Sequence, residues 1–237
     1  MLYAKVVVGL PVEGPFDYIV PQELRDKIKT GTRVRVIFAH RKIIGFVVGL
    51  SKKTAITRLS AILQVLDDSP LLDDKMLQLT KGLSEYYCCS WGEAIETAIP
   101  MGLREGKALK AIDPRKSEEI HINAAITLIH NPDFKARWET YLEHIKKALG
   151  RNRSVIILLP DMRSLAAAEK LIRLRMGESV RLLNRKSKEE LSEWAAIKQQ
   201  EGGVVMGVRS AIFAPLRDPG LIIVDEEENF VYKQDQS

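Results

Sequence analysis

Two bare apolar runs limit what this 237-residue chain can fold into more than any other feature. Residues 154–159 read SVIILL and residues 221–224 read LIIV. Neither alternates with polar positions, and both are rich in β-branched side chains. That is the pattern of a strand buried on both faces of a parallel sheet. Residues 133–149, 162–176 and 187–200 have helical spacing, and 124–129, 180–183 and 203–206 are strand-like. Strand and helix alternate with short connections, which predicts an α/β lobe built on a parallel sheet. The LIIV run leads directly into DEEE, so Asp225 and Glu226 fall at the carboxyl end of the sheet, where open α/β folds bind ligands. Carboxylates in that place can hold a metal ion and orient water; the alternative is a solvated acidic turn.

The first half is organised differently. Residues 2–10, 34–38 and 43–50 read as strands, the last two joined by a basic turn, AHRK. A further apolar run covers 61–66. From 73 to 98 the spacing of Met76, Leu79, Leu83, Tyr86 and Tyr87 becomes helical, and Pro100 and Gly102 close the segment. Residues 104–119 are polar and read as a linker. The expected organisation is therefore a β-rich domain over 1–104, a linker over 105–119, and the α/β lobe over 120–237.

Charge is uneven. Nine Lys/Arg and no acid fall between residues 27 and 58, in a chain of net charge +5. A one-sign block among strands is either a polyanion surface or a solvated face. No apolar run reaches the length of a membrane span, and the N-terminus lacks a signal-peptide pattern; the expectation is a cytoplasmic protein with no membrane partner. Cys88 and Cys89 are adjacent and lack metal-ligand spacing, so they are expected as buried thiols of a reducing compartment, with no metal site. Trp91, Trp138 and Trp194 fall in helical patterns and are expected to fill core.

Several blocks together carry a resemblance. Residues 207–234, GVRSAIFAPLRDPGLIIVDEEENFVYKQ, resemble the GTRSAxFAPxxxLGLIIVDEEHDxxYKQ block of the PriA-type primosomal replication-restart helicases. LPVEGPFDYIVP, residues 10–21, resembles that family's LPxxxPFDYxVP motif in a domain that binds the 3′ end of a nascent strand. GTRVRVIFAHRKIIGFVVGL and SEYYCCSWGEAIETAIPMGLREG resemble the strand pair and the end of the same domain. The resemblance implies an α/β protein: a small β-rich 3′-DNA-end-binding domain followed by a partial RecA-like lobe. It assigns Phe16, Asp17 and Tyr18 to the DNA terminus, with aromatic stacking on the last base and a carboxylate accepting from the 3′-OH. Arg41, Lys42 and Arg209 are expected on backbone phosphates.

The departures imply loss of the motor. The family's first lobe carries GVTGSGKTEVY, a glycine-rich loop that wraps backbone N–H groups around phosphates. Residues 131–138 here read NPDFKARW, without glycine. Arg137 stands at the lysine position and Trp138 at the Mg²⁺-binding hydroxyl, while Lys135 lies out of register. Glu228 replaces the histidine of DEEH, Val208 replaces the threonine of GTRSA, and Ala39 replaces a glycine after the RVRV strand. Asp225 and Glu226 are thus expected as vestiges of a nucleotide-coupled acid pair, with no catalytic residue and no cofactor, ATP and Mg²⁺ entering only if the degenerate site retains binding. The sequence stops short of the family's second lobe and zinc-binding cysteines. The leading expectation is a DNA-binding protein of replication restart, acting at forks or 3′-ended DNA and with replisome or primosome proteins, without ATP-driven unwinding. The alternative is a scaffold piece of a longer ATP-dependent 3′-to-5′ helicase; an active ATPase ranks below both.

Overall fold

The computed structural model describes residues 1–109, 125–177, 180–185, 187–200 and 202–232. It divides into two compact units, Met1–Pro114 and Arg115–Ser237. Most of the expected linker lies outside the described residues.

Unit 1 is a five-stranded antiparallel sheet in the order β2-β1-β4-β3-β5. Its strands are β1 (Tyr3–Val8), β2 (Phe16–Ile19), β3 (Arg33–Phe38), β4 (Arg41–Ser51) and β5 (Gln64–Val65). β3 and β4 form the expected hairpin, turning at Ala39 and His40, which both have left-handed backbone (φ 45° and 63°). One sheet face buries Ala4, Val6, Val8, Tyr18, Val34, Val36 and Val47 in a common core. Helices α1 (Asp74–Tyr86), α2 (Trp91–Ala98) and α3 (Met101–Arg104) follow. α2 approaches β1 so closely that a Cβ on Gly92 would stand 1.8 Å from the Val8 carbonyl oxygen, so only glycine fits there.

The single helical stretch expected over 73–98 is two helices. Ser90 starts the second with a capping box: its hydroxyl accepts from the Glu93 N–H, and the Glu93 carboxylate accepts from the Ser90 N–H. Cys88 and Cys89 lie in the turn between the helices and are exposed, which corrects the expectation of buried thiols. Arg33 is a second correction. Counted in the basic block, it is fully buried and forms a forked ion pair with Asp67, Nη2 to Oδ1 at 2.6 Å and Nε to both oxygens at 3.1 Å. Its Nη1 also donates to the Leu103 carbonyl, which ties β3 to the end of α3.

Unit 2 is a parallel sheet in the order β7-β8-β6-β9. The strands are β6 (Ser154–Leu158), β7 (Val180–Leu183), β8 (Gly203–Gly207) and β9 (Pro219–Val224), with helices α4 (Phe134–Gly150), α5 (Met162–Met176) and α6 (Glu190–Gln199). α4 and α5 pack Trp138, Tyr141, Leu142, Ile145, Leu165, Ala168 and Ile172 onto Val155, Ile157, Val204, Met206 and Ile223. Trp138 and Trp194 are core, as expected. All five residues of β6 are buried, the pattern its sequence implied. β9 departs from it: Ile222 is 48% and Val224 41% exposed. β9 is an edge strand of this sheet, and residues 125–129 of the strand expected over 124–129 have no regular structure. Ile126 and Leu128 there are exposed, while Ile129 packs against the core.

Candidate functional site

In unit 1 Phe16, Asp17 and Tyr18 lie on β2, an edge strand of the sheet. Antiparallel pairing sets Phe16 opposite Val6, Asp17 opposite Lys5 and Tyr18 opposite Ala4. Side chains alternate along a strand, so Phe16 and Tyr18 share one face and Asp17 takes the other. Tyr18 is 4% exposed and its hydroxyl donates to the Ile37 carbonyl at 3.0 Å. Burial raises its phenol pKa above the ordinary value. Tyr18 is therefore a core residue and offers no face to a base. Phe16 is partly exposed and meets Phe38 edge-on, ring centroids 4.9 Å apart.

On the opposite face the Asp17 carboxylate accepts from the Thr54 hydroxyl at 2.6 Å and lies 3.6 Å from the Lys5 ammonium. The backbone of Asp17 is as informative as its side chain. The Val20 N–H donates inward to Leu2, whereas the Ile19 N–H and C=O bond outward to residues 60 and 62. N–H and C=O of one strand residue point to the same side and alternate along the strand. The Asp17 amide and carbonyl thus point outward with those of Ile19, from the last strand of the sheet. Beside them an open groove of about 480 Å³ is lined by Tyr3, Ile19, Ile56, Arg58 and Ser60, among others. Tyr3, Lys5 and Thr54 were not singled out in the sequence. The period-2 register of β1 against β2 is the signal that would have found the first two.

Arg41 and Lys42 are exposed at the start of β4, opposite Phe38 and Ile37. The structure thus brings both cations beside the hairpin residues that contact Phe16 and Tyr18. Arg209 lies in unit 2, in the 3-10 turn Arg209–Phe213 after β8, where its Nη1 is 3.4 Å from the Val231 carbonyl.

The second candidate site is the carboxyl edge of the parallel sheet. Asp225 follows β9 and is 2% exposed. Its backbone N–H donates to the Leu158 carbonyl at 3.0 Å and its own carbonyl accepts from the Tyr232 hydroxyl at 3.1 Å. The carboxylate Oδ1 accepts from Arg137 Nε at 2.9 Å and from the Tyr141 hydroxyl at 3.1 Å. Arg137 and Tyr141 are four residues apart on α4, hence one above the other on one helix face. Arg137 also donates to the Asn131 carbonyl at 3.0 Å and approaches Glu226 at 3.8 Å. Burial works against the guanidinium charge, but Asp225 beside it more than offsets this and holds its pKa above the usual value. Burial, and then the negative charge of Asp225, push the Tyr141 phenol up to about 12. Tyr232 is raised for the same reasons. Trp138 is fully buried, packed on Phe134 and Tyr141, and Lys135 is exposed. The first turn of α4 is capped by Asp133, whose carboxylate accepts from the Ala136 N–H at 2.8 Å.

A family model described as 3′DNA-binding domain (3′BD), from the PriA group, matches residues 5–100. Among curated proteins, the replication restart protein PriA of Treponema pallidum is 27% identical over 98% of this chain and 39% of its own length. The protein of the same name from Bacillus subtilis is 33% identical over 47% of this chain and 14% of its own length. That of Chlamydia trachomatis serovar D is 36% identical over 40% of this chain and 13% of its own. Even where the alignment runs along almost all of this chain, it spans about two fifths of the relative.

Proposed function

We propose that this chain is a PriA-type replication restart relative, as the match of residues 5–100 to the 3′BD model and the likeness to PriA proteins support, and that it binds DNA at forks, recognises 3′ ends, and does so without ATP-driven unwinding. The observation that carries the reading is the outward-facing edge at Asp17, inside the region matched as a 3′DNA-binding domain. An edge amide and carbonyl read the hydrogen-bonding rim of a terminal base. The Asp17 carboxylate, kept partly accessible between Thr54 and Lys5, accepts from a free 3′-OH and repels a 3′-phosphate. Phe16 supplies an apolar flank, with Tyr18 holding β2 in place from below. Arg41, Lys42 and Arg209 attract backbone phosphates. Replisome or primosome proteins are the partners this role calls for, in the cytoplasm where the DNA is. No described helix is long and apolar enough to cross a membrane.

A magnesium-bound nucleotide does not fit the residues of unit 2. One oxygen of the Asp225 carboxylate, Oδ1, is already shared by a guanidinium and a phenol, and the guanidinium beside it opposes a second cation. Asp133, a carboxylate, occupies the helix N-terminus that a phosphate would need. Residues 131–138 contain no glycine to let a backbone wrap an anion.

The test is fork-DNA binding by fluorescence anisotropy, with a 3′-OH or a 3′-phosphate terminus, across a salt series. A preference for 3′-OH of about tenfold is expected, the scale of one charge-assisted hydrogen bond, and Asp17→Ala should abolish it. Equal affinity for both ends removes end recognition from the proposal. The coverage of two fifths of the relatives favours one further reading: a front piece of a longer ATP-dependent 3′-to-5′ helicase, with unit 2 as scaffold. A second motor lobe encoded in frame after Ser237 would support it.

A further inference from the structure

The turn between α1 and α2 carries both cysteines of the chain side by side, and both are exposed. Free cysteine is ordinarily among the most buried residue types, so two exposed together need a reason. Their backbone is fixed from both sides. The Tyr87 N–H donates to Leu83 and the Cys89 N–H to Ser84, at 2.9 and 3.1 Å, and Cys88 takes the left-handed conformation (φ 53°) that ends α1. Ser90, the next residue, caps α2, and its hydroxyl donates to the Leu10 carbonyl at 2.7 Å. A ligand binding the sulfurs would not have to order this turn first.

Adjacent Cα atoms are about 3.8 Å apart across a trans peptide. Ordinary disulfides need about 4.4 Å or more, so the two thiols are poor partners for one another and both remain available. Two sulfurs bound at about 2.3 Å to one centre with near-tetrahedral angles are roughly 3.7 Å apart, and the Cys88 thiol is held meanwhile only by a long contact of 3.9 Å to the Glu85 carbonyl. No cluster of three or more His, Cys, Asp or Glu able to hold a metal ion occurs among the described residues. A donor set of two sulfurs alone selects a soft centre over zinc or magnesium. The neighbouring Tyr86 and Tyr87 are 80% and 68% exposed and meet edge-on, ring centroids 4.9 Å apart, which places an aromatic surface beside the thiols.

We propose that Cys88 and Cys89 form a chelating dithiol for a thiophilic centre, with trivalent aryl arsenic as the matching class. The reaction with an aryl arsine oxide is an exchange without change of oxidation state. Two As–S bonds form, the As–O bond breaks, and the two thiol protons leave with the oxygen as water. The aryl group has Tyr86 and Tyr87 to lie against.

The experiment uses the reduced full chain and phenylarsine oxide, read by intact mass and by counting alkylatable thiols. One equivalent is expected to protect both cysteines. The adduct should survive excess monothiol and be removed by 2,3-dimercaptopropanol. Cys88→Ser and Cys89→Ser are surface changes whose folding is checked by circular dichroism. Each should bind at least about tenfold more weakly and release the arsenical to monothiol. A wild-type adduct that monothiol strips as readily as from the single variants, or one requiring two equivalents, overturns the proposal.

Discussion

Replacing Arg137 by methionine tests whether the carboxyl edge of unit 2 is held together by its own ion pair. The side chains of Arg137 and Asp225 are 13% and 3% exposed, so the pair is poorly screened. Methionine keeps most of the length and apolar contact but leaves Asp225 buried without its counter-charge. Breaking a buried pair from one side costs about 3–5 kcal/mol, chiefly through the unpaired ion left behind. The Tyr141 hydroxyl still donates to Asp225, which favours the lower half of that range. For a unit of about 120 residues, 3–4 kcal/mol corresponds to a fall in Tm of roughly 10–16 °C.

The assay is thermal unfolding followed by tryptophan fluorescence, which reports mostly on unit 2, since Trp138 and Trp194 lie in its core and only Trp91 lies in unit 1. The double change Arg137→Met with Asp225→Asn removes the stranded charge as well. It should recover at least about 1 kcal/mol of the single loss, a coupling of the size contacting charged residues show. A loss below about 1 kcal/mol for Arg137→Met, or a double variant as unstable as the sum of the two singles, would refute the reasoning.

The other expectations concern separate places. Millimolar Mg²⁺–ATP should leave the wild-type Tm unchanged, because binding to the native state alone would raise it by mass action; a rise of several degrees would show a nucleotide site. Ala39→Gly should stabilise unit 1 by about 1 kcal/mol, since Ala39 holds a left-handed backbone (φ 45°) that costs an L-residue roughly that much; urea unfolding reads it, and a loss of stability would contradict it. Glu96 is raised in pKa by burial first, opposed by Arg104 and reinforced by Glu93. A raised acid contributes stability that is fully present below its unfolded value and lost as pH rises through the folded one. Glu96→Gln should therefore raise the Tm of unit 1 at about pH 7 and match wild type near pH 4; a gain that grew on acidification would have the wrong sign. Replacing Arg41 and Lys42 together by glutamine should flatten the dependence of log affinity on log salt for single-stranded DNA by roughly 1.4, about 0.7 for each phosphate no longer neutralised; an unchanged slope would place both cations off the DNA path.

Much of the fold was legible because it follows from local period. The β3–β4 hairpin, the helices over 134–150 and 162–176, and the buried strand at 154–158 all lie where apolar spacing put them. Position within a sheet is not a local property, and there the sequence misleads. SVIILL and LIIV carry the same signal, yet β6 is central and β9 lies at the edge with Ile222 and Val224 exposed. The segment expected as a strand over 124–129 has the composition of one, and its described residues 125–129 have no strand geometry. The thiols were misplaced for a related reason. The apolar spacing of 73–98 does not reveal that the helix stops at Tyr86, and the stop is what turns Cys88 and Cys89 outward.

The candidate sites show the same limit in electrostatic form. Arg33 and Arg41 are indistinguishable as members of a basic block. One is fully buried against Asp67, and the other is exposed at a hairpin tip. Only the second can attract a phosphate, so a count of cations overstates the surface available to DNA. The FDY segment suggests one cluster of two aromatics and an acid, but a strand cannot present adjacent side chains on one face. Tyr18 accordingly packs into the core, and what β2 leaves accessible is Asp17 with its outward-facing amide and carbonyl. In unit 2 the absence of glycine from residues 131–138 was visible in the sequence. Its consequence was not, because Arg137 and Asp225 are 88 positions apart and become partners only once α4 lies along β9. From sequence alone Arg137 could have been left as a solvated charge. Folded back onto the buried acid, it makes Asp225 part of what holds the edge of the sheet, and a binding site for a divalent cation there would have to displace it.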